Sequence, residues 1–306
     1  MKIFITGIAG CLGSNLADRF LDEGHEIFGV DNFDTGSRLY IENQNKIKFF
    51  EAYIYDYDFL SKTISSIKPE LIIHSAASYK DPNNFLEDCQ TNIIGMNNLI
   101  KLSLLNSVER FINFQTALCY GHPEYLPIKT NHPLKPFTSY GISKTAGELY
   151  LINSELNFLS LRLANICGPR LSIGPIPTFY NRLKNKQSVF CTNAIRDFLD
   201  FDDFFSLMQM IISNSGVSGV FNVSTGKGYS VYEIYKLVVE YLNLPLEEVD
   251  IIDVADDDVK EVVLDPIDTF NFGWKPKLTD LKEIIFKQLS FYDAHGVDNI
   301  FSHLKS

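Results

Sequence analysis

Tyr140 and Lys144 are the residues of this 306-residue sequence whose types and spacing most directly imply catalysis. They lie four positions apart, so on a helix both side chains would project from the same face. A free phenol has a pKa of about 10 and is a poor base at neutral pH, whereas a nearby ammonium favours the phenolate. Thr116, which precedes the pair, could orient the hydroxyl group on which Tyr140 acts. We predict that Tyr140 takes a proton from an alcohol while the carbon beneath it gives up a hydride.

Three glycines, Gly7, Gly10 and Gly13, predict the site that receives this hydride. They form G-x-x-G-x-x-G between a short apolar run and a helical pattern, where glycine permits a tight turn and a close approach to a pyrophosphate. The helix N-terminus that follows offers free N–H groups and partial positive charge. We therefore expect a dinucleotide to bind at this turn.

Asp31, eighteen residues after Gly13, ends the next apolar run. A carboxylate in this position accepts hydrogen bonds from the ribose hydroxyls of the adenosine and repels a 2′-phosphate. It therefore favours NAD over NADP as the cofactor. NADP stays open as the alternative cofactor, because the basic side chain of Arg38 could reach its 2′-phosphate.

Short apolar runs alternate with helical patterns through the first half of the chain. The runs that predict strands are 2–6, 26–30, 46–50, 71–75, 110–114 and 159–163, and the patterns that predict helices are 12–22, 59–66, 92–105 and 139–156. Such alternation is typical of βα units joined by right-handed crossovers. The prediction is an α/β fold of the Rossmann type, a doubly wound parallel sheet with at least six strands.

Glycine and proline become frequent after residue 165, and the later elements are shorter and less regular. We expect an NAD-binding Rossmann domain at residues 1–165 and a smaller C-terminal α/β region at 166–306 that mainly binds substrate. A segment near 191–225 is expected to return to the first domain, because 220–223 has the pattern of a late strand.

The composition restricts the partners and the compartment. Apolar residues make up 45% of the chain, enough for a large core, and the formal net charge of -11 argues against a nucleic-acid surface. The apolar runs are too short to cross a bilayer, and five widely spaced cysteines fit neither a disulfide framework nor a metal site. We expect a cytoplasmic protein with no metal, no nucleic-acid partner and no membrane span.

Taken together, the motifs resemble those of the extended short-chain dehydrogenases/reductases, specifically the NAD-dependent nucleotide-sugar epimerase/dehydratase family that includes UDP-galactose 4-epimerase. The matching motifs are the glycine turn, Asp31-Asn32 as the acidic-Asn loop, residues 74–77 as H-x-A-A and residues 140–144 as Y-G-x-S-K. The resemblance covers nearly the whole chain, as far as residues 273–276.

This resemblance implies roles for several further residues. The additional contacts with NAD that it implies are Cys11, Leu12, Asn32, Ile54, Ala76, Ala77, Lys80 and Asn92. On the substrate side, it implies that Thr116 contacts the sugar of a UDP-linked substrate, that Asn165 lies near the diphosphate and that Arg196 binds phosphate. It also implies that His74 packs at a strand end, and that a homodimer forms through the helices at 92–105 and 139–156.

Three departures from the family pattern bear on the reaction. Ala117 and Leu118 carry no carboxylate, whereas the related 4,6-dehydratases place Asp or Glu there to expel a hydroxyl group. Tyr53 replaces an aspartate expected near the adenine. Ala255 replaces a second diphosphate-binding arginine, so the diphosphate could instead be held by Arg170, Arg182 or Lys184.

The leading hypothesis is an NAD-dependent epimerase that inverts C4 of a nucleoside-diphosphate sugar through a 4-keto intermediate, with Tyr140 as the base. A 4-ketoreductase or 4-dehydrogenase stays open because it would use the same residues, and Ala117 and Leu118 disfavour a 4,6-dehydratase. A non-catalytic NAD-binding protein is the alternative from another functional class. By the resemblance, the pathway to expect is the synthesis of cell-surface polysaccharide.

Overall fold

The computed structural model describes residues 1–41, 45–79, 81, 83–214 and 216–297, which form two compact units. The first unit comprises Met1–Gly121, Leu134–Arg162 and Gly216–Phe221. The second unit comprises His122–Pro133, 163–214 and 222–297. Because the chain leaves the first unit and returns to it twice, neither unit is one continuous stretch of sequence.

The strands and helices are numbered in chain order. The strands are β1 (Lys2–Thr6), β2 (Glu26–Asp31), β3 (Lys48–Glu51), β4 (Leu71–His74), β5 (Arg110–Thr116), β6 (Phe158–Leu163), β7 (Asn165–Cys167), β8 (Cys191–Thr192), β9 (Ile195–Arg196), β10 (Phe198–Asp200), β11 (Gly219–Val223), β12 (Tyr229–Ser230), β13 (Ile251–Ile252) and β14 (Glu261–Val262). The α-helices are α1 (Cys11–Asp22), α2 (Tyr57–Ile67), α3 (Phe85–Asp88), α4 (Met96–Leu105), α5 (Ser139–Ile152), α6 (Pro175–Lys184), α7 (Phe201–Ser213), α8 (Val231–Tyr241), α9 (Ile267–Asn271) and α10 (Leu281–His295).

The main sheet has seven parallel strands in the order β11-β6-β5-β4-β1-β2-β3. The order reverses at β1, which pairs with β2 on one side and with β4 on the other. In doubly wound sheets, such a reversal opens a crevice at the carboxyl ends of the strands, and nucleotides bind in it. The predicted Rossmann-type α/β fold is therefore confirmed.

The central strands are buried on both faces, as their unbroken apolar runs require. Phe4 of β1 and Ile72 of β4 are completely inaccessible to solvent. They pack in one core cluster with Leu60 of α2, Leu99 of α4 and Phe111 of β5. This packing fixes the strand ends from which the candidate site is built.

Helix α3, a π-helical segment (Cys89–Gly95) and α4 follow one another without a break. The sequence predicted helix only over 92–105, because four residues of α3 and a π-helical turn do not give the usual spacing of apolar residues. A π-helical turn inside a helix is uncommon and frequently occurs at functional sites. Asn92 lies in the middle of this segment.

The second unit contains small sheets and a helical core. Strand β7 pairs with β10, β9 lies between β12 and β14, and β8 pairs with β13. The core is formed by α6, α8 and α10, where Phe179, Ile234 and Ile285 are almost completely buried. Over the described part of the chain, no helix has the length and the apolar character needed to cross a membrane.

Candidate active site

The turn between β1 and α1 brings the three predicted glycines together, and two of them admit no side chain. A Cβ on Gly13 would lie 2.2 Å from the carbonyl oxygen of Gly7, and a Cβ on Gly7 would lie 2.7 Å from the backbone nitrogen of Ala76. Gly7 also has a positive φ of 68°. Gly10 caps α1, and the N–H groups of the first helical turn begin at Cys11 and Leu12. The result is a bare backbone concavity at a helix N-terminus, which fits the pyrophosphate of a dinucleotide.

Asp31 lies at the end of β2 and is fixed beside this turn. Its two carboxylate oxygens accept hydrogen bonds from the N–H groups of Ala9 (2.9 Å) and Phe33 (2.8 Å). Burial raises the pKa of Asp31, and these two hydrogen bonds oppose the rise. Each oxygen retains lone-pair capacity, so the carboxylate can also accept hydrogen bonds from ribose hydroxyls.

Arg38, the residue that left room for NADP, is already engaged. Its guanidinium pairs with Glu51 at 2.5 Å and lies 4.0 Å from the ring centre of Phe33. Because these contacts hold the side chain in the turn after β2, they favour the interpretation in which Asp31 selects NAD.

Asn92 holds the segment that follows β4. Its side-chain oxygen accepts a hydrogen bond from the Ser78 N–H, and its amide group donates to the Ser78 carbonyl oxygen and to Ser143 Oγ, each at 3.0 Å. Both amide hydrogens are therefore used within the protein. In this structure Asn92 fixes the segment containing Ala76 and Ala77 to helix α5. Its predicted contact with the cofactor stays a prediction.

Asp88 and Tyr79 belong to the same cluster, although they are not among the predicted site residues. Asp88 is buried, and its carboxylate accepts hydrogen bonds from Ser78 Oγ (2.8 Å) and Ser139 Oγ (2.5 Å). The ring of Tyr79 packs edge-on against Tyr140 with ring centres 6.2 Å apart. No motif spacing identifies these residues, since they approach the catalytic helix only through the π-helical segment and the turn after β4.

The structure brings the side chains of Thr116 and Tyr140 together. Thr116 ends β5, and Tyr140 lies in the first turn of α5, which Thr138 caps by accepting a hydrogen bond from the Gly141 N–H at 3.1 Å. The Thr116 hydroxyl hydrogen-bonds to the Tyr140 hydroxyl. The two hydroxyl groups can thus face the same alcohol of a substrate.

Lys144 is 4% exposed and lies one helical turn after Tyr140. Its Nζ donates a hydrogen bond to the Phe114 carbonyl oxygen at 2.7 Å. Burial lowers the pKa of Lys144 to about 8, and the negative charge of Glu148 partly offsets this effect. The side chain is therefore still mostly protonated at neutral pH.

One expectation about Tyr140 and Lys144 is wrong for the protein without its cofactor. We expected the ammonium of Lys144 to lower the pKa of Tyr140, but the pKa is raised because the phenol is desolvated, and Tyr79 adds to the rise. The hydrogen bond from Thr116 opposes the rise without cancelling it. Burial outweighs the neighbouring charge, since the ammonium is directed at a backbone carbonyl group.

Two other predicted cofactor contacts occupy different environments. Asn32 is partly exposed and donates a hydrogen bond to Asp34 Oδ2 at 2.5 Å. Ile54 is 5% exposed and packs under Gly95, where a Cβ would come within 2.6 Å of it. Lys80, the remaining predicted contact, lies outside the described residues. Roles for these three residues stay predictions.

In the second unit, Arg196 is tied to the acidic loop before β14. Its Nη2 donates to both carboxylate oxygens of Asp258 at 2.8 Å, and its Nη1 donates to the carbonyl oxygens of Ile195 (3.0 Å) and Lys260 (3.2 Å). The hydrogens of both terminal nitrogens are therefore used. A phosphate that binds this guanidinium must meet the Nε–H group or replace one of these partners.

Asn165, Arg182 and Lys184 also have partners within the second unit. Asn165 donates from both its backbone N–H and its side-chain amide to the Asp197 carbonyl oxygen, each at 3.0 Å. Arg182 donates to the Ser188 carbonyl oxygen, and Lys184 pairs with Asp293 at 2.7 Å. These contacts do not decide which residue holds a diphosphate. Among the described residues, no group of His, Cys, Asp and Glu side chains could hold a metal ion.

Comparison with known proteins places this geometry in a family. The model of the NAD dependent epimerase/dehydratase family matches residues 3–224, so the resemblance drawn from the motifs is confirmed. The enzyme WbmG of Bordetella bronchiseptica, solved in complex with NAD, is 49% identical to this chain with a TM-score of 0.94, and the match covers 100% of this chain and 98% of WbmG. The same enzyme has also been solved with NAD and UDP, at a TM-score of 0.93.

Two relatives carry named activities. UDP-glucose 4-epimerase of Thermotoga maritima, solved with UDP-glucose, is 27% identical with a TM-score of 0.88, and the match covers 96% of this chain and 99% of the other. A putative UDP-glucose 4-epimerase of Methanocaldococcus jannaschii is 29% identical over 92% of this chain and 95% of its own length. The chain thus matches these proteins over nearly their whole length.

Proposed function

Because the chain belongs to the NAD dependent epimerase/dehydratase family, we propose that it inverts C4 of a UDP-linked sugar. The expectation of an NAD-dependent enzyme is confirmed by this membership. We assign NAD to the first unit, around Gly7, Gly13 and Asp31. We assign the nucleotide of the substrate to the second unit, around Asn165 and Arg196. The UDP found in WbmG and the UDP-glucose found in the Thermotoga enzyme support the choice of nucleotide.

The reaction follows from the three hydroxyl and amine groups of the first unit. Tyr140 takes the proton of the C4 hydroxyl, and Thr116 orients that hydroxyl through its own hydrogen bond. When bound, NAD accepts the hydride from C4 and later returns it. Lys144 stabilises negative charge on Tyr140 as the proton arrives and departs. Inversion requires that the opposite face of C4 receive the hydride on its return, while Tyr140 gives the proton back to the C4 oxygen.

The observation that carries this proposal is the environment of Thr116 and Tyr140. The turn Ala117–Tyr120 that follows Thr116 carries no Asp or Glu, and the carboxylate near Tyr140, that of Asp88, accepts hydrogen bonds from Ser78 and Ser139. Elimination of a hydroxyl group from C6 requires a general acid, whereas inversion at C4 requires only a base and a hydride acceptor. The side chains therefore support epimerisation over 4,6-dehydration.

Proton NMR of the purified protein with a panel of UDP-sugars in D2O tests the proposal. Inversion at C4 without deuterium at a neighbouring carbon is the expected result. Deuterium at C5 would instead indicate dehydration, and net formation of NADH or consumption of added NADH would indicate a dehydrogenase or a ketoreductase. No reaction with any UDP-sugar would contradict the proposal and favour a non-catalytic NAD-binding protein.

Turnover is expected to fall as the pH rises through about 8. Lys144 is cationic below its pKa of about 8 and neutral above it, so its support for negative charge on Tyr140 is lost on the basic side. The measurement is kcat from pH 6 to pH 10, with bound NAD quantified at each pH to exclude loss of the cofactor. A constant kcat across this basic range would show that the charge of Lys144 is not required.

We propose further that the protein is a homodimer. Apolar side chains of the first unit are exposed on neighbouring helices: Ile94 (47%) of the π-helical segment, Leu105 (66%) of α4, and Ile142 (51%) and Leu149 (45%) of α5. Burying a fully exposed side chain of this size contributes about 1.5–3 kcal/mol, so covering each of these half-exposed side chains contributes roughly half of that. These residues lie on the two helices predicted to join the subunits.

Sedimentation velocity provides the test of the dimer. The wild-type protein should sediment at twice the mass of one chain, and the variant Ile142→Glu/Leu149→Glu should sediment as a monomer. Leu244→Glu is the matched control, because Leu244 is 41% exposed but belongs to the second unit. A monomeric wild-type protein would contradict the proposal.

The cytoplasm is the compartment that we propose, because all five cysteines are free thiols. Synthesis of cell-surface polysaccharide stays a prediction from the resemblance.

A further inference from the structure

A buried ion pair lies one helical turn beyond Lys144. Glu148 of α5 is completely inaccessible to solvent, and Arg162 of β6 is 3% exposed. Arg162 donates from Nη2 to Glu148 Oε2 at 2.9 Å and from Nε to both carboxylate oxygens at 3.2 Å. Breaking such a pair by removing one partner is costly because an uncompensated charge then remains in the interior.

This ion pair connects the elements that carry the catalytic side chains. Glu148 lies on the stripe of α5 that also bears Tyr140 and Lys144, since these residues are spaced by four. Arg162 also donates a hydrogen bond from Nη1 to the Tyr120 hydroxyl at 2.9 Å. Tyr120 ends the short turn that begins directly after Thr116. The three residues thus join the helix of Tyr140 and Lys144 to the turn that follows Thr116.

Three further hydrogen bonds support the attachment of α5. Ser160 Oγ of β6 donates to Glu148 Oε1 at 2.6 Å, and Asn113 of β5 donates to Ser160 Oγ at 2.9 Å. Gln115 of β5 donates to the Lys144 carbonyl oxygen at 2.9 Å. The carboxylate of Glu148 therefore has hydrogen-bond partners on both oxygens, and every one of them is buried.

The charge of Glu148 also acts on Lys144. The charged and titratable groups that interact with Lys144 from the elements around it are Glu148 on its own helix and His74 on β4. Burial lowers the pKa of His74 well below its usual value, so His74 is neutral at the pH of interest. Glu148 raises the pKa of Lys144 against the effect of burial.

We propose that Glu148, Arg162 and Tyr120 are positioning residues, which hold Lys144 and Tyr140 in register with Thr116, and that the carboxylate of Glu148 also favours the cationic form of Lys144. The role in turnover rests on the proposed epimerase function. The effect on the protonation of Lys144 does not, because it depends only on the chain itself.

Glu148→Gln tests the electrostatic part, since glutamine retains the shape and loses the charge. The first measurement is the pH titration of Lys144. It is monitored by NMR in protein labelled with ¹³C at the lysine ε carbon, and the Lys144 signal is assigned as the one missing from Lys144→Met. The expected result is a midpoint lower than in the wild type by about 0.5–1 pH unit. Glu155→Gln, an exposed carboxylate just beyond α5, is the control and should leave the midpoint unchanged. An unchanged midpoint in folded Glu148→Gln would overturn the electrostatic role.

Tyr120→Phe tests the positioning part and keeps the ion pair, so it remains informative if Glu148→Gln does not fold. With a UDP-sugar that the wild type epimerises, kcat should fall about tenfold while KM stays within about twofold and the midpoint of Lys144 is unchanged. A loss of kcat/KM that comes entirely from a higher KM, with kcat unchanged, would overturn the positioning role, and so would kinetics equal to those of the wild type. If the wild type turns over no UDP-sugar, the proposed function fails, and the titration of Lys144 still decides whether Glu148 sets its charge.

Discussion

Replacing Tyr140 with phenylalanine is expected to lower turnover of a UDP-sugar by about 10³-fold while NAD remains bound. Phenylalanine keeps the ring that packs edge-on against Tyr79 and removes only the hydroxyl group that bonds to Thr116. The helix and the cofactor turn do not depend on that hydroxyl, so the fold should be retained. The loss should therefore appear in kcat, because the proton of the sugar hydroxyl no longer has an acceptor.

The matched control for this substitution is Tyr150→Phe on the same helix. Tyr150 is 54% exposed, and losing its hydroxyl group should change neither kcat nor the NAD content. Steady-state kinetics with a UDP-sugar, together with the absorbance of NAD released from denatured protein, separate chemistry from cofactor loss. Wild-type turnover by Tyr140→Phe would remove the assignment of Tyr140 as the base.

The raised pKa of Tyr140 makes this prediction more specific. Because burial disfavours the phenolate in the protein by itself, the base must be generated with help from groups that arrive with the cofactor or from the charge of Lys144. The positive nicotinamide ring of NAD supplies charge of the right sign. Catalysis and cofactor binding are then coupled, and a site without NAD would leave Tyr140 protonated.

The sequence predicted those parts of the site that depend on local geometry. The glycine turn is visible in sequence because only glycine tolerates the contact between Gly13 and the Gly7 carbonyl group. The pair Tyr140 and Lys144 is visible because a helix places residues four apart on one face. Asp31 is visible because its distance from the glycines is set by one strand, one helix and one turn.

Contacts between distant residues could not be predicted in this way. Arg196 and Asp258 are 62 positions apart, and their pairing depends on the parallel arrangement of β9 and β14. Glu148 resembles any charged helical residue until Arg162 is brought beside it from β6. The pKa of Tyr140 was misjudged for the same reason, since burial is a property of the packed protein. The spacing shows which groups are neighbours, and the packing decides how much water surrounds them.

Replacing Gly13 with alanine is expected to weaken NAD binding by about 10²-fold or more. The new Cβ would lie 2.2 Å from the Gly7 carbonyl oxygen and 2.9 Å from Ile8 Cα, and both neighbours are backbone atoms that cannot rotate away. The turn must therefore open, and the N–H groups at the start of α1 lose their alignment with a pyrophosphate. Forcing a methyl group into such a site typically costs about 1–3 kcal/mol of stability.

Gly24→Ala separates the loss of binding from a loss of stability. Gly24 has a positive φ of 83°, so alanine is strained there, yet no atom lies within 4 Å of the added Cβ and the residue belongs to the turn after α1. This variant should lose about 1 kcal/mol of stability and keep the NAD affinity of the wild type. Isothermal titration with NAD and thermal unfolding measure the two quantities. If Gly13→Ala binds NAD as the wild type does, the pyrophosphate does not lie on this turn, and Asp31 and the N-terminus of α1 lose their assigned roles with it.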